Sequence, residues 1–401
     1  MTVTHTLDEL QKSTEGLSAL CRQKFFGAAK ELDAVITTDP AHVGYLSGYR
    51  SILQDVTLYA QAVIATPERL VLVTGASDAP AALERLSEPS AIWRYGLFYV
   101  SSAPGAKGYE EMPQHSASFS DALSAALCTF DMRGLRVGMD VRNASTAHGI
   151  QQSLSGASFV DPASAFRTSR ATKLPGELHL MRHASRITDE AICGILPMIR
   201  PGTTELEIAS EISRHMVRHG GIARFVVVTS GERSSRVDAY ARHKVLQDGD
   251  LVRLDIGCTV EGYCSDMART LCVGMPTDVQ DSRYAALLAG EQAELAALRP
   301  GILAKDVYDI AMRTVRQGAL PNYQRNHCGH GIGLHSHEFP LIGPESQTVL
   351  EPGMVFCVET PYYEIGWGGM MVEDTAIITD TGHELLTSSA RALHQPSAIH
   401  P

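Results

Sequence analysis

The chain has 401 residues, enough for two domains and a large core, because single cores rarely grow beyond about 250–300 residues. Its net charge of −11 argues against nucleic acid or a membrane surface as a partner, since both call for a clustered basic face. The eight cysteines form no CxxC pair, so we expect reduced thiols. Without a signal peptide or an apolar run long enough to span a bilayer, the sequence predicts a cytoplasmic protein.

The first 166 residues alternate helical and strand-like segments. Helical spacing extends over residues 17–32, and a short strand is predicted at 34–38. Two β-rich runs within 62–73 predict a hairpin, and 135–139 predicts a further buried strand. This alternation is typical of an α/β domain, and no cluster of chemically active residues stands out in it.

Residues 167–176 are basic and contain Pro and Gly, which predicts a linker to a second domain at 177–391, followed by a tail at 392–401. The second domain contains an internal echo, because Ile199-Arg-Pro-Gly202 and Leu298-Arg-Pro-Gly301 each precede an amphipathic helix. Pro-Gly before a helix is common enough to arise by chance. Each copy is also followed by strands with acidic residues, which favours a duplicated half-domain with a site between the halves.

Two aspartates lie on a predicted hairpin with turn residues between its strands. If the hairpin closes with Val260 and Glu261 at its tip, Asp255 and Asp266 face each other with Cβ atoms about 4.5–5.5 Å apart. Carboxylates at that distance repel unless a cation lies between them or one takes up a proton. The alternative for this pair alone is two unrelated surface aspartates beside a turn.

A second predicted hairpin carries two glutamates. Glu359 ends an apolar strand, and Glu373 follows on the returning strand after a Gly-rich turn, so the two face each other. A buried carboxylate needs a cation or a proton. Between the hairpins His330 lies among glycines, which permit a close backbone approach. Four carboxylates and one imidazole form an oxygen-rich set that suits a pair of Mn²⁺, Co²⁺, Fe²⁺ or Zn²⁺ ions.

In order and spacing these motifs resemble the pita-bread family of methionine aminopeptidase, aminopeptidase P, prolidase and creatinase. The matching segments are Asp255-Ile-Gly, Ser265-Asp266-Met-Ala-Arg-Thr, Gly329-His330-Gly-Ile-Gly, His337-Glu338, Phe356-Cys-Val-Glu359 and Val372-Glu373-Asp374. His327 and the separate N-terminal domain resemble the prolidase, aminopeptidase P and creatinase branch. The resemblance implies an α/β creatinase-like N-terminal domain followed by an α+β pita-bread catalytic domain built from a duplicated αβ half.

By this resemblance Asp255 would hold one metal ion, and Asp266 and Glu373 would bridge it to a second ion. His330 and Glu359 would complete the ligands of that other ion. Mn²⁺ is the first choice of metal. A metal-bridging hydroxide would attack an amide or other C–N bond, with Glu359 as general base.

Off the metals, His337 would stabilise the oxyanion and His327 would line the substrate pocket. Arg269 would anchor a ligand strand. The resemblance also implies a homodimer.

Two departures from the family concern the substrate. Where the peptidases carry a histidine, this chain has Asp238, with His243 nearby as an out-of-register substitute. Where proline-specific members carry an arginine, it has Met371. Asp238, together with Arg233 or Arg236, could therefore recognise a polar or cationic small molecule.

Three functions stay open from the sequence. The first is a metallopeptidase of the Xaa-Pro dipeptidase or aminopeptidase type, acting on short peptides. The second is a metal-dependent hydrolase or lyase of a small non-peptide compound, a creatinase-like substrate class. The third is a non-catalytic binding protein, which the presence of all five ligand positions disfavours.

Overall fold

The structure is a computed structural model that describes residues 14–105 and 107–393. Residues 394–401, most of the predicted tail, lie outside the described part. Contacts divide the described chain into two compact units, residues 14–170 and 171–393. No helix in the described ranges is long and apolar enough to cross a bilayer.

The first unit is a mixed α/β layer. Its strands are β1 (Ala34–Thr37), β2 (Ala62–Ala65), β3 (Leu70–Gly75), β4 (Ile92–Tyr95), β5 (Arg136–Asp140) and β6 (Ser158–Val160). They form a sheet in the order β4-β3-β2-β1-β5-β6. Its helices are α1 (Leu17–Ala28), α2 (Pro40–Ser47), α3 (Leu53–Val56), α4 (Ala79–Leu86), α5 (Phe119–Leu127), α6 (Ala144–Ser153) and α7 (Ala163–Ala171).

Local sequence explains where these elements begin and end. The predicted hairpin is confirmed, with Ala65 opposite Leu70 in the antiparallel pair β2 and β3. Helix α2 begins where the Asp39 carboxylate accepts hydrogen bonds from the two backbone N–H groups that follow Pro40. The first helix was predicted to reach Leu32 but ends at Ala28, because the chain turns there and Leu32 N donates to Ala29 O.

Residues 167–176, the predicted linker, are largely helical. Residues 167–171 complete α7, and a new helix begins at Pro175, where Glu177 Oε2 accepts from Leu174 N at 2.8 Å. Arginine is a good helix former, so a basic stretch does not by itself indicate a loop. Proline is well placed at the first position of a helix and marks its start.

The second unit contains one large sheet, a separate two-stranded hairpin and four α-helices in the described residues. Its strands are β7 (Ile222–Ser230), β8 (Leu251–Val260), β9 (Tyr263–Cys264), β10 (Met267–Cys272), β11 (Gly329–Gly331), β12 (Glu338–Leu341), β13 (Val355–Glu359), β14 (Tyr362–Glu364), β15 (Gly368–Met370), β16 (Glu373–Ile378) and β17 (His383–Leu385). The main path is β12-β11-β13-β16-β10-β8-β7, while β14 and β15 form a separate hairpin. Its helices are α8 (Pro175–Ile195), α9 (Glu205–Arg218), α10 (Asp278–Ala297) and α11 (Ala304–Gln317).

The two halves of this unit repeat the same backbone connections. Before α9, Thr204 bridges Val245, and before α11, Leu303 bridges Val349 in the same antiparallel sense. Each half then contributes three strands, β7-β8-β10 and β11-β13-β16, and the halves meet where β10 pairs with β16. The internal echo in the sequence therefore corresponds to a repeated αβ half.

Successive side chains of β13 point alternately to the hydrophobic core and to the opposite face of the sheet. Phe356 and Val358 are fully buried in an apolar cluster with Val307 of α11. Because successive strand residues point to opposite faces, Cys357 and Glu359 point the other way, towards the junction of the halves. One face of the sheet thus supplies the core, and the other supplies the candidate site.

Candidate metal centre

The first acidic hairpin has a different register from the predicted one. Its turn residues are Glu261 and Gly262, both with positive φ (49° and 85°), so Asp255 lies opposite Ala268 and not opposite Asp266. The prediction placed the turn one residue too early, and a turn displaced by one residue shifts the register by two. A shift of two preserves the face, so Asp266 still shares a face with Asp255.

The second hairpin has the predicted arrangement. Glu359 on β13 lies directly opposite Glu373 on β16. Glu373 in turn lies opposite Ala268, which pairs the strands of the two halves. Asp255, Ala268, Glu373 and Glu359 therefore form one row across four strands, and the small alanine leaves space between the carboxylates.

His330 on β11 lies beside this row, on the same face of the sheet. It lies opposite Cys357, which is two residues before Glu359 on the same face. Ligand atoms of Asp266, His330, Cys357 and Glu373 all lie within 4.8 Å of one another, and all four residues are buried.

The flanking glycines are required by close packing. A Cβ on Gly329 would lie 2.3 Å from Cys357 O, and one on Gly331 would lie 2.8 Å from Phe339 O.

In the metal-free protein, the charged forms of the carboxyl groups in this cluster are unfavourable. Burial raises the pKa of Asp266 and of Glu373 well above their ordinary values, and the neighbouring carboxylates raise both further. Asp266 Oδ1 and Glu373 Oε2 are buried and have no hydrogen-bond partner in the described structure. Buried carboxylate oxygens without donors are the arrangement that divalent cations satisfy, so these residues fit a metal centre.

The protonation state and the orientation of His330 are those of a metal ligand. Burial lowers its pKa to about 3, so the ring is neutral near pH 7. Its Nδ1 lies 3.1 Å from Gly331 O, and its Nε2 lies 3.7 Å from Glu373 Oε1. A proton donated by Nδ1 to that carbonyl leaves the Nε2 lone pair directed at the carboxylates, as in metal-bound histidines.

One cavity of about 570 Å³ is lined by most of the residues that were predicted to form the site. It is lined by all five candidate ligands, Asp255, Asp266, His330, Glu359 and Glu373, and by His327, His337, Asp238 and Met371. Arg236 lines a neighbouring cavity with Arg233 and Arg242, which shares Asp238 with the first. His243 instead lines a third cavity beside Glu207, whereas Asp238 lines the first.

The two further histidines differ in their contacts. The ring of His337 stacks on that of His330 with centroids 3.7 Å apart, and it is outside the close group of ligand atoms. His327 Nδ1 lies 3.2 Å from Glu359 Oε1, and burial lowers the pKa of His327 to about 4. Burial also lowers the pKa of His337, so both rings line the cavity as neutral groups near pH 7.

Two arginines at the site were not predicted. Arg325 Nη2 lies 3.3 Å from Glu359 Oε1, and Arg253 Nη1 lies 3.2 Å from Asp255 Oδ2. Arg253 is fully buried and also donates to the carbonyls of Ser234 and Arg236, which ties the loop before Asp238 to β8. Arg253 is two residues before Asp255 on β8, and this spacing on a strand was the available indication for it. Arg325 lies in the segment before β11, where strand alternation gave no signal.

Arg269 has the predicted anchoring role. It is fully buried and donates to Glu373 O at 2.6 Å and to Asp374 Oδ1 at 2.7 Å. These bonds connect β10 to β16, the strands on which the two halves meet.

The Glu359 carboxyl provides a test of the site's electrostatics in protein freed of metal by chelation. Burial raises its pKa from 4.5 to about 7. A raised folded-state pKa contributes stability that is present below pH 4.5 and is lost as the pH rises towards 7. We therefore expect the unfolding free energy of the wild type to fall over this interval relative to Glu359→Gln, by on the order of a few kcal/mol.

Buried histidines with lowered pKa values make the protein less stable as the pH falls, which is opposite in sign to the effect of Glu359. Comparing the wild type with Glu359→Gln cancels this histidine contribution, because both proteins contain it. Urea unfolding at several pH values measures the difference. A difference that is constant from pH 4.5 to 7 would contradict the raised pKa.

The duplicated halves and the carboxylate-rich centre between them define a metal-dependent hydrolase of the pita-bread class. The model of metallopeptidase family M24 matches residues 179–380, and that of the creatinase/prolidase N-terminal domain matches residues 24–172. The chain therefore belongs to family M24, in its prolidase and creatinase branch, and is a metallohydrolase.

Individual relatives agree with this assignment. The uncharacterized peptidase YqhT of Bacillus subtilis is 30% identical over 289 residues, 72% of this chain and 82% of the relative. The Xaa-Pro dipeptidase of Pyrococcus furiosus is 33% identical over 226 residues, 56% of this chain and 65% of the relative. The solved Xaa-Pro dipeptidase from Bacillus anthracis superposes with a TM-score of 0.78 at 26% identity, covering 94% of this chain and 99% of that one.

Proposed function

We propose that this protein is a dinuclear-metal peptidase that hydrolyses the amide bond of Xaa-Pro dipeptides or similar short peptides. The observation that carries the proposal is the row Asp255, Ala268, Glu373 and Glu359, which brings carboxylates from both halves to one face beside His330. The similarity to Xaa-Pro dipeptidases supports the substrate class.

The chain's residues divide into holders of metal and groups that act on the substrate. Asp255, Asp266, Glu373, His330 and Glu359 would hold two divalent cations, with Mn²⁺ favoured by the predominance of oxygen ligands. When bound, the cations supply a Lewis acid and lower the pKa of the attacking water. The thiol of Cys357 stays protonated, because burial raises its pKa well above the ordinary value, and it is not assigned as a ligand.

Proton transfer and charge stabilisation fall to three side chains around the cavity. Glu359 accepts the proton of the attacking water, as the carboxylate that ends β13 in the cavity. His337, stacked on His330 but outside the ligand group, donates to the oxygen that becomes negative at the tetrahedral stage. His327, in contact with Glu359, lines the substrate pocket.

The charges of the cavity match the two ends of a dipeptide. Asp238 is on the side of Asp255 and His337, whose pKa values it affects, and it is available to a substrate ammonium group. Arg325 is on the side of Glu359, and its Nε is buried without a hydrogen-bond partner in the described structure. Its guanidinium can pair with a substrate carboxylate, the task that an arginine at position 371 has in the family. We propose that Arg325 replaces that group.

Substrate assays test the proposal directly. Protein reconstituted with Mn²⁺ or Co²⁺ is expected to hydrolyse Xaa-Pro dipeptides, with Xaa-Pro-Xaa tripeptides tested alongside. Metal content is measured on the same samples. Fully metallated protein that turns over neither substrate would refute the peptidase and leave a small non-peptide C–N compound as the substrate. Less than one metal ion per chain would instead favour a binding protein.

Arg325→Met tests the recognition of the substrate carboxylate. The substitution removes the charge but preserves much of the volume, so KM for an Xaa-Pro dipeptide should rise by roughly 30-fold or more, which corresponds to the loss of a buried charged pair. The KM for the corresponding dipeptide amide, which lacks the carboxylate, should change far less.

Arg224→Met is the matched control, because Arg224 lines the same cavity from the β7 side but is exposed. If the control raises KM and Arg325→Met does not, the carboxylate binds at the opposite end of the cavity from the one proposed.

A further inference from the structure

A second group of potential metal ligands lies on helices α8 and α9. Glu190, His215 and His219 each place one ligand atom within 4.8 Å of the other two. His215 Nε2 is 3.7 Å from Glu190 Oε2, and the rings of His215 and His219 have centroids 4.1 Å apart. None of the three lines the cavity of the candidate metal centre.

The two imidazoles are oriented as ligands. They are four residues apart at the end of α9, so their rings share one side of the helix. His219 Nδ1 lies 2.9 Å from His215 O, and donation to that carbonyl leaves its Nε2 lone pair free. His215 Nε2 is buried and makes no hydrogen bond in the described structure. Burial and the neighbouring His219 lower the pKa of His215, so it is neutral near pH 7.

The carboxylate is held in place from its other side. Glu190 Oε1 accepts a hydrogen bond from Arg186 Nη1 at 2.9 Å, one turn earlier on α8. This contact leaves Oε2 facing His215 across the gap between the helices. One carboxylate oxygen and two imidazole nitrogens from two helices therefore converge on a common point.

We propose that Glu190, His215 and His219 bind one divalent ion of the zinc class, separate from the catalytic metals, and thereby cross-link α8 and α9. Two imidazoles and a carboxylate are an established ligand set for zinc, with water in the fourth position. Tetrahedral zinc with bonds of about 2.0–2.1 Å has neighbouring ligands roughly 3.3–3.5 Å apart, close to the 3.7 Å between His215 and Glu190. The nitrogen-rich set also favours Zn²⁺ over the Mn²⁺ suited to the oxygen-rich centre.

Zinc binding to tag-free protein tests this site. After equilibrium dialysis against buffered Zn²⁺, the double variant His215→Asn/His219→Asn is expected to retain about one zinc ion per chain fewer than the wild type. Zinc should also raise the unfolding temperature of the wild type more than that of the variant. Because the readout is a difference, it does not depend on how many ions the catalytic centre takes, and it would survive failure of the proposed function.

Two further variants make the result decisive. His148→Asn removes an exposed helical histidine from the other unit and should bind as much zinc as the wild type. Glu190→Gln retains both imidazoles and should weaken zinc binding by roughly 10-fold or more, and it serves as the test if the double variant folds poorly. Equal zinc content in the wild type, the double variant and Glu190→Gln would overturn the proposal.

Discussion

Glu373→Gln is expected to abolish activity and, at the same time, to stabilise the metal-free protein. The glutamine keeps the shape of the side chain but removes a buried carboxyl group whose charged form burial and the neighbouring Asp266 and Glu359 disfavour. Loss of a ligand should reduce metal affinity and turnover by more than about 100-fold, the upper range for groups that only support ligands. Asp266→Asn should act in the same way. Metal content, turnover and urea unfolding of the chelated protein measure the three effects.

The neighbouring residue supplies a matched control of opposite sign. Asp374 points to the other face, where Arg269 and Arg391 bind its carboxylate. Asp374→Asn should therefore destabilise the protein by about 3 kcal/mol or more, because it removes the buried carboxylate that pairs with both arginines. If Glu373→Gln destabilises the metal-free protein as Asp374→Asn does, the repulsion assigned to the metal centre is absent.

His337→Ala is expected to keep the metals and lose turnover. Its ring lies against His330 but is outside the group of close ligand atoms. Removing a donor aimed at the developing negative charge should lower kcat by roughly 10²–10³-fold with a smaller change in KM. Metal analysis and steady-state kinetics on the same preparation separate the two effects.

His335→Ala serves as the comparison for this result. His335 is an exposed residue of the same segment that does not line the cavity, so its replacement should leave kcat nearly unchanged. Loss of metal from His337→Ala would show that the division between ligands and donor is drawn in the wrong place. His330→Ala, by contrast, should lose metal and turnover together.

The sequence predicted those site residues that stand out from their immediate neighbours in the chain. Asp255, Asp266, His330, Glu359 and Glu373 are conspicuous because each is an ionisable group beside an apolar or glycine-rich segment, which is costly without a ligand to bind. The repeated Pro-Gly helix starts indicated the duplicated half in the same way.

Contacts that depend on the pairing of distant segments could not be predicted from the sequence. Arg325 contacts Glu359 and Cys357 lies opposite His330 only because distant strands align in the sheet.

By itself the sequence determined the candidate ligand types and the order of the two halves along the chain. It also determined the strand alternation that places the ligands on one face. The tertiary structure decided the register, because one residue in the position of the Glu261-Gly262 turn changes which carboxylates are opposite one another. It also decided that His243 lies away from the cavity and that Arg325 lies within it. The physical reason is that burial and cross-strand distance are properties of the assembled sheet, and no single segment specifies them.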